Sequence, residues 1–215
     1  MIDYISQNSS FILDALGQHI VLALIPVLLG IVLALPLGYL AVRHSKLYYP
    51  LVNVSSLLYA VPSLALFMIL PEFLGTKVLS PINIIVALTI YTVALLVRVV
   101  ADGLNSVDDT VTQAASAMGY RRVRRLFSVE LPIALPVMLA GLRVATVANI
   151  SIVSVGALIG VGGLGALFTR GLQLHYVDPI IVGIMLSVLL AGVCDGVIVL
   201  IQRWLTPWSR VGGRA

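Results

Sequence analysis

Charge is what this chain of 215 residues has least of: 10% of its residues are charged against 60% hydrophobic, and its mean hydropathy is +1.10. A soluble domain of this length carries charged side chains along every segment. Here they collect between long apolar runs, so the solvent for most of the chain is lipid. Cysteine is almost missing too: the single one, Cys194, sits inside an apolar run, which excludes an intramolecular disulfide framework. The three histidines, His19, His44 and His175, are scattered without metal-ligand spacing, and no Ser-His-Asp, Cys-His or nucleotide-binding arrangement is recognisable. The sequence therefore points away from a resident metal, a cofactor or hydrolytic chemistry in this chain. Its net charge of +4 does not indicate nucleic acid, because most of the arginines flank apolar runs on one side.

What is there is a set of runs long enough to cross a bilayer. About 20 helical residues at 1.5 Å each cover the ~30 Å hydrocarbon core. Five runs qualify, over 20–42, 51–70, 82–100, 136–159 and 179–201. The expected fold is an all-α membrane protein in one transmembrane domain, 1–215, because backbone groups in lipid must be satisfied within each segment. The first run is too long for a signal-peptide core and is expected to be retained. Pro26, Pro36 and Pro62 fall inside spans, where kinks are expected. Arg43 and Lys46, then Arg121, Arg122, Arg124 and Arg125, then Arg203, Arg210 and Arg214 occupy alternate connections, whereas the others carry only Lys77 and Arg170. By the positive-inside rule the N-terminus is outside and the C-terminus cytoplasmic.

The cytoplasmic connection 101–135 is too long for a turn. Its segment 108–130 reads as a helical elbow: a short helix over 108–119, then a second over 121–129 with Val123, Leu126 and Phe127 on one face. Thr110 and Gln113 stand in capping-box spacing, Asp108 and Asp109 suit the positive end of the helix dipole, and Gly119 supplies the stop. The small face of Ala114, Ala115 and Ala117 lets another surface approach closely. On residues alone, protein docking and lipid-headgroup contact through the arginines remain equally open.

The run Gln113-Ala114-Ala115, then Gly119, then Leu131-Pro132-Ile133 and Pro136 resembles the cytoplasmic signature of ABC importer permeases. Gln113 departs from the glutamate usual at the first position. The resemblance spans nearly the whole chain. Val61-Pro62-Ser63-Leu64-Ala65, Ala140-Gly141-Leu142-Arg143, Ile159 through Gly165, and Gly171-Leu172-Gln173-Leu174 are similar to the osmoprotectant branch, whose substrates include glycine betaine, choline and carnitine. Short methionine permeases share this architecture. The resemblance implies a coupling helix seated in an ATPase cleft through Thr110, Gln113, Ala114, Ala115, Ala117 and Gly119. It also implies ATP and Mg on an ABC ATPase dimer rather than here, a second permease subunit, an external substrate-binding protein, and residence in the bacterial inner membrane. The alternative from another class is an ATP-independent channel subunit.

Further candidates follow from polarity at membrane depth. Tyr59 and Tyr91 offer aromatic faces to a quaternary ammonium, and Asn149, Ser151 and Ser154 either line the translocation path or bond other helices. The external connection holds Gly160, Gly162, Gly163 and Gly165, an outer gate or simply a close-packed turn; it lacks the lysine of a phosphate loop. Arg143 and Asp195 are expected to pair across two spans, and Arg98 and Asp102 to form an i, i+4 pair.

Overall fold

A computed structural model describes residues 1–210, and these are helical with no strand. Arg214 lies outside the described residues. The helices are α1 (Ile2–Gln7), α2 (Ser9–Arg43), α3 (Ser45–Ala60), α4 (Ser63–Leu74), α5 (Pro81–Asn105), α6 (Asp109–Ala117), α7 (Arg122–Arg125), α8 (Leu131–Val153), α9 (Gly165–Gln173) and α10 (Val177–Leu205). A π-helical turn, Leu126–Glu130, joins α7 to α8, and a 3-10 turn, Ser154–Ile159, follows α8. Four segments are long and apolar enough to cross a membrane, or five if the bent pair α3 and α4 forms one span.

The core is a seam between α2 and α5. Ala23, Val27, Gly30, Ala34, Gly38 and Ala41 recur every three or four residues on one face of α2 and are buried there. Small residues let two backbones approach closely, the usual basis of helix association in lipid. Gly30 shows the need, since a Cβ there would collide with the Thr92 side chain. Gly30 meets Thr92 and Gly38 meets Val100, so the two helices run parallel. Asn149 bonds Thr92 and Gly141 faces Val99, so α8 runs antiparallel to α5. The Arg143–Asp195 pair, with Ser151 and Ser187 bordering one cavity, sets α10 antiparallel to α8. These directions bring Arg43, the arginines of 121–125 and Arg203 to the same end of the bundle.

Several expected boundaries change. The helix that carries the first run begins at Ser9, ahead of residue 20, and continues through Pro26 and Pro36 as one helix. The second, expected as one run over 51–70, breaks at Val61 and Pro62, and its halves are bent by 103°. Proline cannot donate to the helix ladder and pushes its predecessor into extended backbone, and Val61 has φ −64° and ψ 133°. Pro26 and Pro36 do not have this effect because their helix is clamped along α5. The second elbow helix, expected over 121–129, is only α7; it runs through the π turn directly into α8.

Candidate coupling site and translocation path

Local chemistry sets the ends of α6. The Asp108 carboxylate accepts from the Thr110 backbone N–H and hydroxyl, each at 2.7 Å. Asp108, not Thr110 with Gln113, is therefore the cap, and Thr110 lies inside the helix; the expected capping box is not formed. The backbone N–H of Thr110, then its hydroxyl, hold the Asp108 carboxyl below its ordinary range. At the other end Gly119 takes a left-handed φ of 84° that most side chains resist, and the chain turns.

The faces of α6 divide. Gln113, Ala114 and Ala117 are exposed, whereas Ala115, expected on the same face, is buried against its own chain. Val111, Met118, Val123 and Phe127 are exposed around the small residues, while Leu126 packs inward near Val100, Leu104 and Met138. The result is a shallow alanine face with an apolar rim. Arg125 braces it: its Nε donates to Glu130 Oε1 at 2.5 Å and its Nη1 to Ser116 Oγ at 2.8 Å. One guanidinium thus ties α6 to the π turn that opens α8. In the sequence Arg125 stands with its three neighbours as one of four orientation charges, and nothing local marks this role.

The five path candidates separate into two places. Tyr59 and Tyr91 meet edge to face with ring centroids 5.8 Å apart. The Tyr91 hydroxyl donates to the Val61 carbonyl at the helix break. Asn149 Nδ2 donates to Thr92 Oγ1 at 2.9 Å, and Thr92 in turn donates to the Leu88 carbonyl. Tyr59, Tyr91 and Asn149 border one recess with no room for water. Ser151 and Ser154 lie elsewhere, in an open cavity between α8 and α10.

The glycine segment is held by residues that the sequence did not single out together. His19 is fully buried in α2; its Nε2–H donates to the Ile150 carbonyl at 2.9 Å and its Nδ1 accepts from the Leu164 N–H at 3.1 Å. The carbonyl can only accept, so this network assigns a single neutral tautomer. Gln18 Oε1 accepts from the Gly163 N–H at 3.3 Å. Gly160 and Gly163 adopt φ of 84° and 82°, Gly162 has no space for a Cβ beside Gln18, and Gly165 opens α9. Arg143 and Asp195 pair as expected, Nε to Oδ1 at 2.6 Å and Nη2 to Oδ2 at 2.8 Å. Arg98 and Asp102 lie 3.6 Å apart. No cluster able to hold a metal occurs among the described residues.

Comparison with known proteins accords with this architecture. The family model described as "Binding-protein-dependent transport system inner membrane component" matches residues 26–210. The osmoprotectant import permease protein OsmW of Salmonella typhimurium is 35% identical over 211 residues, covering 96% of this chain and 97% of the relative. The glycine betaine/carnitine/choline transport system permease protein OpuCD of Bacillus subtilis is 31% identical over 211 residues, covering 98% of this chain and 91% of the relative. Among solved structures, an inward-facing MetNI methionine ABC transporter superposes with a TM-score of 0.84 at 21% identity over 93% of this chain and 98% of its own, which establishes likeness of fold. The chain belongs to the family of inner-membrane components of binding-protein-dependent transport systems, multi-pass permease subunits rather than enzymes.

Proposed function

We propose that this chain is the permease subunit of an ATP-driven importer for osmoprotectants such as glycine betaine, choline or carnitine. The observation that carries the substrate class is similarity along nearly the full chain to permeases named for these solutes. The finer reading places the arginine-bearing end in the cytoplasm, the N-terminus outside and the C-terminus inside, in keeping with the positive-inside rule. An ABC ATPase dimer, carrying ATP and Mg, docks on the alanine face of α6. A second permease subunit completes the path, and an external binding protein delivers solute.

Coupling then follows from the elbow. ATPase closure moves α6, and Arg125 hands that displacement to the start of α8 without relying on the loop at Gly119. The path alternates between outward and inward access. In this cycle the Tyr59–Tyr91 pair and Asn149 act as the seal, and the His19-held glycine segment acts as the outer gate. The test is affinity purification of the tagged chain from its native membrane, followed by ATPase assay of what co-purifies. Stimulation by a binding protein loaded with betaine or choline supports the proposal. Stimulation by methionine alone moves the chain to an amino-acid importer, and solute flux without any ATPase makes it a channel subunit.

A further inference from the structure

Of the three histidines only His19 is buried; His44 and His175 are exposed. Both of its ring nitrogens are engaged. Nε2–H reaches the Ile150 carbonyl on α8, and the Nδ1 lone pair receives the Leu164 N–H. Leu164 is the N-cap residue of α9, and no side chain of its own segment caps that helix. Beside it, Gln18 receives the Gly163 N–H. Two consecutive residues of α2 thus hold two consecutive N–H groups of the outer glycine turn. A Cβ at Gly163 would stand only 3.1 Å from His19 Nδ1, so the turn lies directly on the imidazole.

The two holding bonds differ in what they tolerate. The Gln18 amide does not titrate, whereas the imidazole accepts from Leu164 only while Nδ1 keeps its lone pair. A proton there sets N–H against N–H and leaves a backbone donor of the fully buried Leu164 without its acceptor. It also places a positive charge at the positive end of the α9 dipole. Of the two partners the turn is the one that yields. His19 belongs to a helix packed along α5, while Gly160 and Gly163 give the turn a backbone that rearranges at little steric cost.

No neighbouring charge compensates for that proton. The nearest titratable residues along the surrounding elements are Asp14 on α2, Tyr91 on α5, Arg143 on α8 and Arg170 on α9, and 160–164 contains none. Asp14 is exposed, Tyr91 is bonded to Val61, Arg143 is paired with Asp195, and Arg170 lies over the Tyr4 and Phe11 rings. None of them acts on the imidazole. We infer that His19 is the positioning residue of the outer turn and a proton-sensitive latch: neutral, it closes the turn against α2 and α8, and protonated at Nδ1 it lets the turn go. Its role in transport rests on the reading of the glycine segment as an outer gate; the titration of the latch does not.

The experiment uses the complete complex, with ATPase and binding protein, in proteoliposomes that enclose ATP at a fixed internal pH. External pH is lowered from about 7.5 to about 4.5, across the imidazole range. Glycine betaine uptake is followed together with amide-exchange protection, relative to intrinsic rates, over residues 160–167. His19→Asn keeps an acceptor where Nδ1 stands and cannot titrate, whereas His19→Gln keeps a donor near Nε2 and loses that acceptor. In the parent, protection is expected to fall about tenfold on acidification, as for the loss of one buried hydrogen bond, and uptake to fall with it. In His19→Asn both are expected to stay level across the range, and in His19→Gln protection is expected to be low throughout. Parent protection that does not change with pH overturns the latch. An acid loss of the same size in His19→Asn assigns the titration to another group and overturns it as well. Protection lost in the parent with uptake unchanged upholds the latch and overturns the turn as an outer gate.

Discussion

Helices α5 and α10 are alike in composition and opposite in surroundings. Their apolar windows have mean hydropathies of 2.5 and 2.6, yet 61% of the first is buried within the chain and none of the second. Helix α5 is enclosed by α2, α3, α4 and α8, whereas α10 touches mainly α8 and α9. Hydropathy reports that both avoid water and says nothing about which of them meets protein. Fine structure carries that information: small residues spaced three or four apart on α2 mark the seam with α5, and a charged pair marks where α10 is fastened. The contrast suggests a rigid α2–α5 core and a more loosely held α10, an arrangement suited to a subunit that must change shape while remaining folded.

The largest expected effect comes from closing the seam. Gly30→Leu forces a side chain into Thr92 and should destabilise the chain by about 3 kcal/mol or more. Gly192→Leu on α10 meets nothing within the chain and should leave thermal unfolding of the purified single chain in detergent close to the parent's. Equal losses would erase the contrast between the two helices.

The next effect concerns the fastening of α10. Arg143→Asp or Asp195→Arg alone places like charges side by side at membrane depth, and either should sharply lower the yield of folded protein. The double exchange should restore much of it. Three equal defects would mean that the pair does not fasten α10.

Tyr91→Phe sharpens the comparison within the core itself. It keeps the ring and removes the donor to the Val61 carbonyl, leaving a backbone acceptor unsatisfied at the helix break, for a loss of about 1–2 kcal/mol. Thermal unfolding in detergent measures it, and an unchanged midpoint would show that water or another donor serves that carbonyl.

The smallest effect is at the elbow. Asp108 has a carboxyl pKa depressed in the folded state, so its cap contributes fully above the unfolded value near 3.8 and is lost as pH falls through the lower folded value. Asp108→Ala should lower amide-exchange protection, relative to intrinsic rates, in the first turn of α6 at neutral pH, and should abolish the loss of protection that the parent shows on acidification below about pH 4. Exchange equal to the parent's would place the cap elsewhere.

The sequence disclosed what local pattern can disclose. Apolar runs marked the spans, Gly119 marked the end of α6 although its start reads as a Thr110–Gln113 capping box rather than an Asp108 cap, and two isolated charges at membrane depth, Arg143 and Asp195, suggested each other as partners. What escaped it was long-range or required a choice among equals. The second apolar run reads as one span kinked at Pro62; the full break there is supported by the Tyr91 hydroxyl, thirty residues along the chain. His19 was one more scattered histidine because its partners are backbone groups of Ile150 and Leu164, and backbone acceptors and donors leave no trace in sequence. Arg125 stood among four arginines, and only folding selects it, by bringing Ser116 and Glu130 to its two edges. Ala115 illustrates the same limit: three alanines in the expected docking face look interchangeable until one of them is packed inward.

In the proposed mechanism an ATPase drives this permease through the small face of α6. The direct test is ATP-dependent glycine betaine uptake by the reconstituted complex carrying Ala117→Trp, which fills that exposed face without touching the spans. ATPase association and uptake are expected to fall together while the permease remains folded. Uptake that persists at the parent's rate, or that proceeds without ATP, would contradict it.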